Sequence, residues 1–335
     1  MTVEEIEAAC DASRPLDFSR HGVEVPGLAH GGMFYPLGFP TELRTNSPGI
    51  LSQARKLWPI VERRFDTDTI RVDVHVVESD SIECPPTPVC RIMYPLVVSV
   101  ADQNNYSIVH LDRNRTQITI SRAAEKNSMY LGYFFLGASP LCHIATRFTT
   151  NVHAGCVALN GRGVLLCGDS GAGKSALSYA CARAGWTYVS DDVSALLNDG
   201  RDRMIIGNCD QVRFRPSATE LFPELNGLEV TPRAAGKPSI ELPTESILGL
   251  NCAPTAQVDF LVFLNRRVPG PSELVPYRKD VARYFMWQDL FGLEESRAIQ
   301  CAVLERLLTA DVFELRYRDL DWAVDRLETL VREGR

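Results

Sequence analysis

Two patterns of apolar positions divide the sequence near residue 150. Before that point, short stretches rich in β-branched and alternating apolar residues predict strands separated by turns. These predicted strands cover residues 70–78, 91–100, 107–112 and 117–121. The turn at 113–115 predicts a hairpin between the last two. We therefore expect an N-terminal domain, residues 1–150, built on a small antiparallel sheet and serving in substrate or partner recognition.

Helical patterns in this first part are few. The first 60 residues are rich in proline, glycine and turn formers, and they predict one short helix at 52–64. The apolar, aromatic segment 129–148 predicts a helix pair or a kinked helix, because Gly137 and Pro140 interrupt it.

Beyond residue 151 the pattern alternates between strands and helices. A continuous apolar run at 164–167 predicts a strand that is buried on both faces, and the largely apolar segments 186–189 and 258–264 predict two more buried strands. Further strands are predicted at 152–159 and 312–317, and helices at 174–184, 294–308 and from 320 onward. Gly185 and Asp319 are the expected helix caps. Residues 151–335 are therefore predicted to form an α/β domain.

Composition and charge limit the number of domains and the kinds of partner that we expect for this chain. A chain of 335 residues exceeds the usual size of one hydrophobic core, which favours two domains. No run of about 18 uncharged apolar residues occurs, so we expect no membrane span. A net charge of -7 disfavours nucleic acid as a partner. The acidic start and scattered cysteines indicate a cytoplasmic protein with buried free thiols, and only Cys84 and Cys90 form a pair for a metal or a disulfide.

One segment carries a specific chemical motif. Residues 168–175 satisfy G-x-x-x-x-G-K-[ST], directly after a buried strand and at the start of a helix. Backbone N–H groups of such a glycine-rich loop surround phosphate oxygens, and the helix N-terminus adds partial positive charge. The predicted nucleotide-binding residues are Gly168, Asp169, Ser170, Gly171, Ala172, Gly173, Lys174 and Ser175. ATP and Mg²⁺ are the expected cofactors, with Lys174 at the β and γ phosphates and Ser175 at the metal.

Two carboxylates and one histidine accompany the loop. Asp191 and Asp192 follow the predicted strand 186–189, which we expect to lie parallel and next to the strand before the loop. One can hold Mg²⁺ and the other can accept a proton from a hydroxyl, because close carboxylates raise one pKa. The alternative is that they only end a strand. His153 precedes Gly168 by fifteen residues, and by spacing alone a lone histidine of this kind is more often a core residue than a functional one.

These residues together resemble a known family. The nucleotide core of the HPr kinase/phosphorylase family, which is itself similar to that of phosphoenolpyruvate carboxykinase, has the same pattern over 152–193. The resemblance rests on His153-Ala154-Gly155, on residues 163–175, on Gly185, and on Ser190-Asp191-Asp192. It implies a P-loop core that binds ATP, with Ser175 and Asp192 at Mg²⁺ and Asp191 as the base. It also implies that His153 assists the metal or the nucleophile.

The sequence departs from that family in two places. Residues 210–216 stand where HPr kinase carries its E-I-R-G-L-G signature, which removes the best indication for HPr as the substrate. The N-terminal part does not resemble that of HPr kinase, so a homo-oligomer is left open. The chain looks closer to HPr kinase-related proteins, which include free-serine kinases and kinases of ribosomal peptide precursors. In these relatives a basic residue after the core reaches the phosphates; Lys237 and Arg233 are the candidates, with Arg213 and Arg215 as alternates.

The predicted activity is ATP- and Mg²⁺-dependent transfer of a phosphoryl group to a hydroxyl, with serine in a peptide, protein or small molecule as the expected acceptor. The alternative is a regulatory module that senses ATP without transfer. The paired carboxylates favour the kinase, since a module that only binds ATP needs no base. A simple ATPase or GTPase is the weaker third hypothesis.

Overall fold

The computed structural model describes residues 27–60, 62–232, 236–266, 270–288 and 294–334, together with residues 8 and 290. It divides into two units, Met1–Arg147 and Phe148–Arg335, close to the predicted boundary after residue 150. Helices and strands are mixed throughout, in agreement with the predicted α/β class. None of the helices described is both long and apolar enough to cross a membrane.

The first unit contains a seven-stranded sheet with the order β1-β2-β3-β7-β6-β5-β4. Its strands are β1 (His30–Phe34), β2 (Thr41–Thr45), β3 (Ile70–Val77), β4 (Val89–Met93), β5 (Leu96–Asp102), β6 (Asn105–His110) and β7 (Arg115–Ser121). The predicted hairpin between the last two strands is confirmed, since β6 and β7 pair antiparallel.

Two predictions for this sheet were wrong. The sheet is mixed, because β3 pairs parallel with both β2 and β7. Parallel strands cannot be joined by a short hairpin turn, so the local sequence carries no signal for either of these two pairings. The segment 91–100 is also two strands, since the turn at Tyr94 and Pro95 separates β4 from β5. Proline has no N–H to donate to a strand ladder, which favours a break there.

The helices of the first unit are α1 (Pro48–Leu57), α2 (Arg122–Lys126), α3 (Ser128–Leu131) and α4 (Ala138–His143), with π-helical segments at Gly132–Leu136 and Ile144–Phe148 and short 3-10 turns at Pro36–Gly38 and Leu111–Arg113. Helix α1 begins earlier than predicted, because Pro48 occupies a first-turn position that tolerates proline. The segment 129–148 is a succession of α and π turns. Gly137 N–H donates to the carbonyl of Gly132, five residues back, so the chain continues through the glycine.

The second unit contains a ten-stranded sheet, with the order β17-β11-β9-β10-β18-β13-β12-β8 and with β20 between β18 and β19. Its strands are β8 (Thr149–Val152), β9 (Ala154–Leu159), β10 (Arg162–Cys167), β11 (Thr187–Ser190), β12 (Ser194–Leu197), β13 (Met204–Gly207), β17 (Asn251–Cys252), β18 (Thr255–Asn265), β19 (Glu273–Pro276) and β20 (Asp311–Arg316).

The centre of this sheet differs from the prediction in two respects. Strand β11 is not the neighbour of β10, because β9 lies between them and pairs antiparallel with both. Strands β10 and β11 still point the same way, so their carboxyl ends lie at one edge of the sheet. The predicted strand 152–159 is in fact β8 and β9, which join different neighbours and are separated by His153.

Helices cover both faces of the sheet. They are α5 (Lys174–Arg183), α6 (Lys279–Gln288), α7 (Glu294–Leu307) and α8 (Leu320–Glu333). Leu177 of α5 and Leu327 of α8 share one buried cluster with β10 and β18. Met286 of α6 and Leu304 of α7 belong to a second cluster with Leu165 of β10. The predicted cap of α8 is confirmed, since the Asp319 side chain accepts from Trp322 N–H at 2.8 Å.

A small third sheet, which was not predicted, lies between β13 and β17 in sequence. Its strands are β14 (Gln211–Phe214), β15 (Val230–Thr231) and β16 (Ser239–Pro243), with 3-10 turns at Pro216–Glu220, Pro223–Leu225 and Thr244–Ser246. Phe214 and Phe222 pack edge-on against Tyr179 of α5, which holds the sheet beside that helix. Strand β14 also lies next to the end of β11, since the Tyr188 hydroxyl of β11 donates to the carbonyl oxygen of Gln211.

Candidate active site

The loop between β10 and α5 has the backbone that its glycines predict. Gly168, Gly171 and Gly173 have φ values of 146°, 87° and 103°, which residues with a Cβ rarely adopt. Gly173 is also crowded, because a Cβ there would lie 2.6 Å from the Tyr317 hydroxyl. The predicted segment 168–175 thus joins a buried strand to a helix N-terminus, where backbone N–H groups are available to an anion.

Lys174 is folded back over the first residues of this loop. Its side chain is buried, at 5% exposure, and Nζ donates to the carbonyl oxygen of Gly168 at 2.7 Å and to that of Asp169 at 3.3 Å. The same nitrogen lies 3.0 Å from Nε2 of His153. A buried ammonium is costly without partners, and these partners hold it over the start of the loop.

His153 reaches this point because of the break between β8 and β9. Ala154 pairs with Cys167, so the preceding residue lies beside the start of the loop. Its second ring nitrogen, Nδ1, lies 3.4 Å from a carboxylate oxygen of Asp192. His153 is therefore a partner of both Lys174 and Asp192 and not a buried core residue, since 37% of its side chain is exposed.

The two carboxylates predicted to act together have different surroundings. Asp191 is buried, and its Oδ2 accepts from the backbone N–H of Arg213 on β14 at 3.1 Å. Burial raises the pKa of the Asp191 carboxyl, while the Arg213 N–H opposes that rise and the negative charge of Asp192 adds to it. Asp192 is 58% exposed and faces His153. The pair thus offers one shielded carboxylate with a raised pKa and one accessible carboxylate.

Basic side chains lie along the other side of the loop. An Arg215 guanidinium nitrogen donates to Oγ of Ser170 at 3.3 Å. Lys237 and Arg215 line one shallow cavity together with Ser170 and Gly171 of the loop. Of the two alternates, Arg213 instead forms an ion pair with Glu241, with its Nε 3.4 Å from Oε1 of the glutamate. Arg233 lies outside the described residues.

Three residues near the loop were missed by the sequence analysis. Arg266 directly follows β18, and its guanidinium lies over the ring of Tyr317, 5.5 Å from the ring centre. Tyr317 follows β20 and contacts the loop at Gly173. Both lie at the carboxyl ends of strands that were predicted, at 258–264 and 312–317, so the carboxyl-end rule for parallel strands pointed to them. Ser178, one turn after Ser175, is fully buried, and its Oγ has no hydrogen-bond partner among the described residues.

The residues present fit a magnesium ion that arrives with a nucleotide. Ser175 stands in the first turn of α5 and Asp192 is accessible, but within the described ranges no three His, Cys, Asp or Glu side chains form a group that can hold a metal. Mg²⁺ in proteins is commonly held by one or two side chains together with substrate phosphates. A Mg²⁺ ion held by Ser175 and Asp192 would therefore need further ligands from phosphate oxygens or water.

Comparisons with known proteins add little to this geometry. No family model and no curated protein matches the sequence. Among solved structures, the chain is similar to the Hpr(Ser) kinase/phosphatase from Coxiella burnetii, at 17% sequence identity and a TM-score of 0.29. The similarity covers 55% of this chain and 89% of that chain. Similarity at this level establishes neither family nor activity, so the function must be argued from the residues of the site.

Proposed function

We propose that this chain is an ATP- and Mg²⁺-dependent kinase that transfers the γ-phosphoryl group to a hydroxyl, with serine in a peptide, protein or small molecule as the expected acceptor. One observation carries the proposal. The ammonium of Lys174 meets His153 at the start of a loop with the phosphate-binding sequence, and Asp192 lies against the same histidine. A cation, a metal-binding carboxylate and an imidazole thus gather where a phosphate chain would end.

In this proposal the loop binds and orients the nucleotide. Backbone N–H groups of 168–175 donate to the phosphate oxygens, and Lys174 exchanges the carbonyl oxygens of Gly168 and Asp169 for the β and γ phosphates. Ser175 and Asp192 would hold Mg²⁺, which supplies charge neutralisation between the β and γ phosphates. Release of Lys174 from His153 leaves Nε2 of the imidazole free beside the transferred group.

Asp191 is the proposed general base. Burial raises its pKa, which makes it a stronger base than an ordinary aspartate. The acceptor oxygen forms a bond to the γ-phosphorus, and the bond from that phosphorus to the bridging oxygen of ADP breaks. The hydroxyl proton passes to Asp191. Lys237 and Arg215, which line the shallow cavity beside Ser170 and Gly171, would stabilise charge on the transferred group.

The test is transfer of label from [γ-³²P]ATP with Mg²⁺ to serine, to HPr and to a library of serine-containing peptides. We expect Asp191→Asn to lower turnover by at least about 100-fold while nucleotide affinity stays unchanged. Asp202→Asn is the matched control, because Asp202 is an exposed aspartate in the same unit and should leave turnover unchanged.

The outcomes separate the kinase from its alternative. Label transferred to one acceptor by the wild type and lost in Asp191→Asn supports the kinase and names its substrate class. Undiminished turnover in Asp191→Asn would remove Asp191 from the mechanism. Tight ATP binding with no transfer to any acceptor would instead favour a module that senses ATP.

A further inference from the structure

One cation beside the loop has no role in the mechanism proposed above. Arg266 directly follows β18, which pairs parallel with β10, so it lies at the same edge of the sheet as the start of the loop. A Cβ placed on Gly173 would lie 3.4 Å from Cδ of Arg266 and 3.7 Å from its Nη1. The side chain of this exposed arginine therefore lies against the loop, at the residue that precedes Lys174.

No structural ion pair accounts for the position of Arg266. Among the described residues, no carboxylate pairs with it. Glu314, a buried carboxylate in the lining of the same cavity, already accepts from Asn265 Nδ2 at 2.8 Å and from Arg316 at 2.7 Å. The Arg266 guanidinium instead lies over the ring of Tyr317, 5.5 Å from the ring centre. Its charge is thus not neutralised by a described side chain.

Arg266 and the start of the loop line one cavity. Gly168, Asp169 and His153 belong to the same lining. These three residues are also the ones that contact the ammonium of Lys174. The lysine of this motif reaches the β and γ phosphates of a nucleotide. Arg266 therefore borders the space that a phosphate chain would enter.

The backbone of the loop brings this cation close to a bound phosphate. N–H groups of such a loop donate to phosphate oxygens, with nitrogen and oxygen about 2.9 Å apart. Nη1 of Arg266 lies beside Gly173, which is one residue of the loop. Without an anion, Arg266 and Lys174 are two cations beside one loop, and like charges repel. A phosphate in the loop would offset that repulsion.

We infer that Arg266 is a further nucleotide-binding residue, which donates to a phosphate of the bound nucleotide alongside Lys174. The inference rests on the ATP-binding part of the proposed function and adds a residue to it. A guanidinium is a planar fork of donors that matches phosphate oxygens, and stacking on Tyr317 orients the plane of that fork. A stacked guanidinium could also contact the adenine base, and the experiment separates the two ligands.

Affinity is measured by calorimetric titration of the full chain with MgATP and, separately, with magnesium tripolyphosphate, which has the phosphates without the base. We expect Arg266→Gln to weaken the binding of both ligands at least about tenfold. Arg266→Lys keeps the charge but not the fork, so its loss should be smaller. Arg266 is exposed, so both variants should fold, which circular dichroism checks.

Salt separates an electrostatic contact from a structural effect on the loop. Raising the KCl concentration from about 0.05 M to about 0.5 M screens the attraction between an exposed guanidinium and a phosphate. The ratio of wild-type affinity to Arg266→Gln affinity should therefore fall toward one. A ratio that salt leaves unchanged would mean that the substitution only distorts the loop around Gly173, which overturns the inference.

Arg332→Gln is the matched control. Arg332 is an exposed arginine of α8 that pairs with Glu328. The carbonyl oxygen of the neighbouring Val331 accepts from Arg162, the first residue of β10, whereas the loop follows the last residue of that strand. Arg332 thus lies near the other end of β10, and we expect its substitution to leave the affinity for both ligands unchanged.

The outcomes separate this contact from the proposed reaction. Undiminished MgATP affinity in Arg266→Gln overturns the inference and leaves the kinase standing. A loss of MgATP affinity with unchanged tripolyphosphate affinity also overturns it, because Arg266 would then contact the base. Weaker binding of both ligands by the variant, in a protein that transfers no label, supports the contact and contradicts the kinase. No binding of either ligand by the wild type contradicts both.

Discussion

Asp191 is the residue whose environment departs most from what its sequence position predicts. The prediction placed Asp191 and Asp192 side by side as one pair, whereas one carboxylate contacts Arg213 of β14 and the other contacts His153. Strand β14 was not predicted, so the burial of Asp191 was invisible in the sequence. The residue types of the site could be predicted, but the surroundings that shift the pKa could not.

The raised pKa of Asp191 has a consequence for stability. The folded state binds the Asp191 proton more tightly than the unfolded chain, whose pKa is about 3.9. The protonated Asp191 carboxyl therefore contributes stability that is fully present below the pKa of the unfolded chain. This stability is lost as pH rises through the pKa of the folded state. At pH 8 the folded protein therefore carries the free-energy cost of burying this carboxyl, either as a charge or with a bound proton. Asp191→Asn removes that cost while keeping an acceptor for Arg213 N–H.

We expect Asp191→Asn to unfold at a higher temperature than the wild type at pH 8, with a smaller difference at pH 4.5. Thermal unfolding at the two pH values measures this, and Asp202→Asn, an exposed aspartate, should not change it. A lower unfolding temperature for Asp191→Asn at pH 8 would show that the carboxylate is net stabilising where it lies.

At the scale of elements, long apolar segments were predicted well and short ones poorly. Strands β10 and β18 and helices α5 and α8 lie where their patterns placed them, because each buries a continuous apolar run or stripe. Strands β12, β13 and β14 were missed. A four-residue strand leaves a short pattern, and β11, which is equally short, was predicted because the segment 186–189 is largely apolar. Pairing order was also mispredicted where β9 lies between β10 and β11.

At the same scale, a substitution in the loop between β10 and α5 tests whether the backbone of the loop determines ATP affinity. Gly173→Ala should lower ATP affinity at least about tenfold, because the new Cβ meets the Tyr317 hydroxyl and φ is 103°. Titration with a fluorescent ATP analogue measures the affinity. Adding Tyr317→Phe to the variant removes the clashing oxygen but leaves the backbone strain, so it should restore part of the loss.

Gly185→Ala is the control that separates the loss of ATP affinity in Gly173→Ala from general backbone strain. Gly185 also has a positive φ, 91°, yet no atom lies within 4 Å of a Cβ placed there. We expect it to lower thermal stability without changing ATP affinity. Equal loss of affinity in Gly173→Ala and Gly185→Ala would mean that the loop has no special role in binding.

At the scale of the whole molecule, the loop, both carboxylates and His153 all belong to the second unit, Phe148–Arg335. That unit also has its own buried clusters on both faces of its sheet. We expect residues 148–335, expressed alone, to fold and to bind MgATP within about threefold of the full chain, since every predicted phosphate contact lies within them. Circular dichroism and the same titration test this. A folded fragment that does not bind would show that residues 1–147 contribute to the site.

The central claim is that the loop 168–175 binds the phosphates of ATP through Lys174. Calorimetric titration of MgATP into the wild type and into Lys174→Met tests it most directly, because methionine keeps much of the buried volume while removing the ammonium. We expect one ATP per chain for the wild type, and an affinity at least about tenfold lower for the folded variant. No binding by the wild type, or equal binding by the two proteins, would contradict the account.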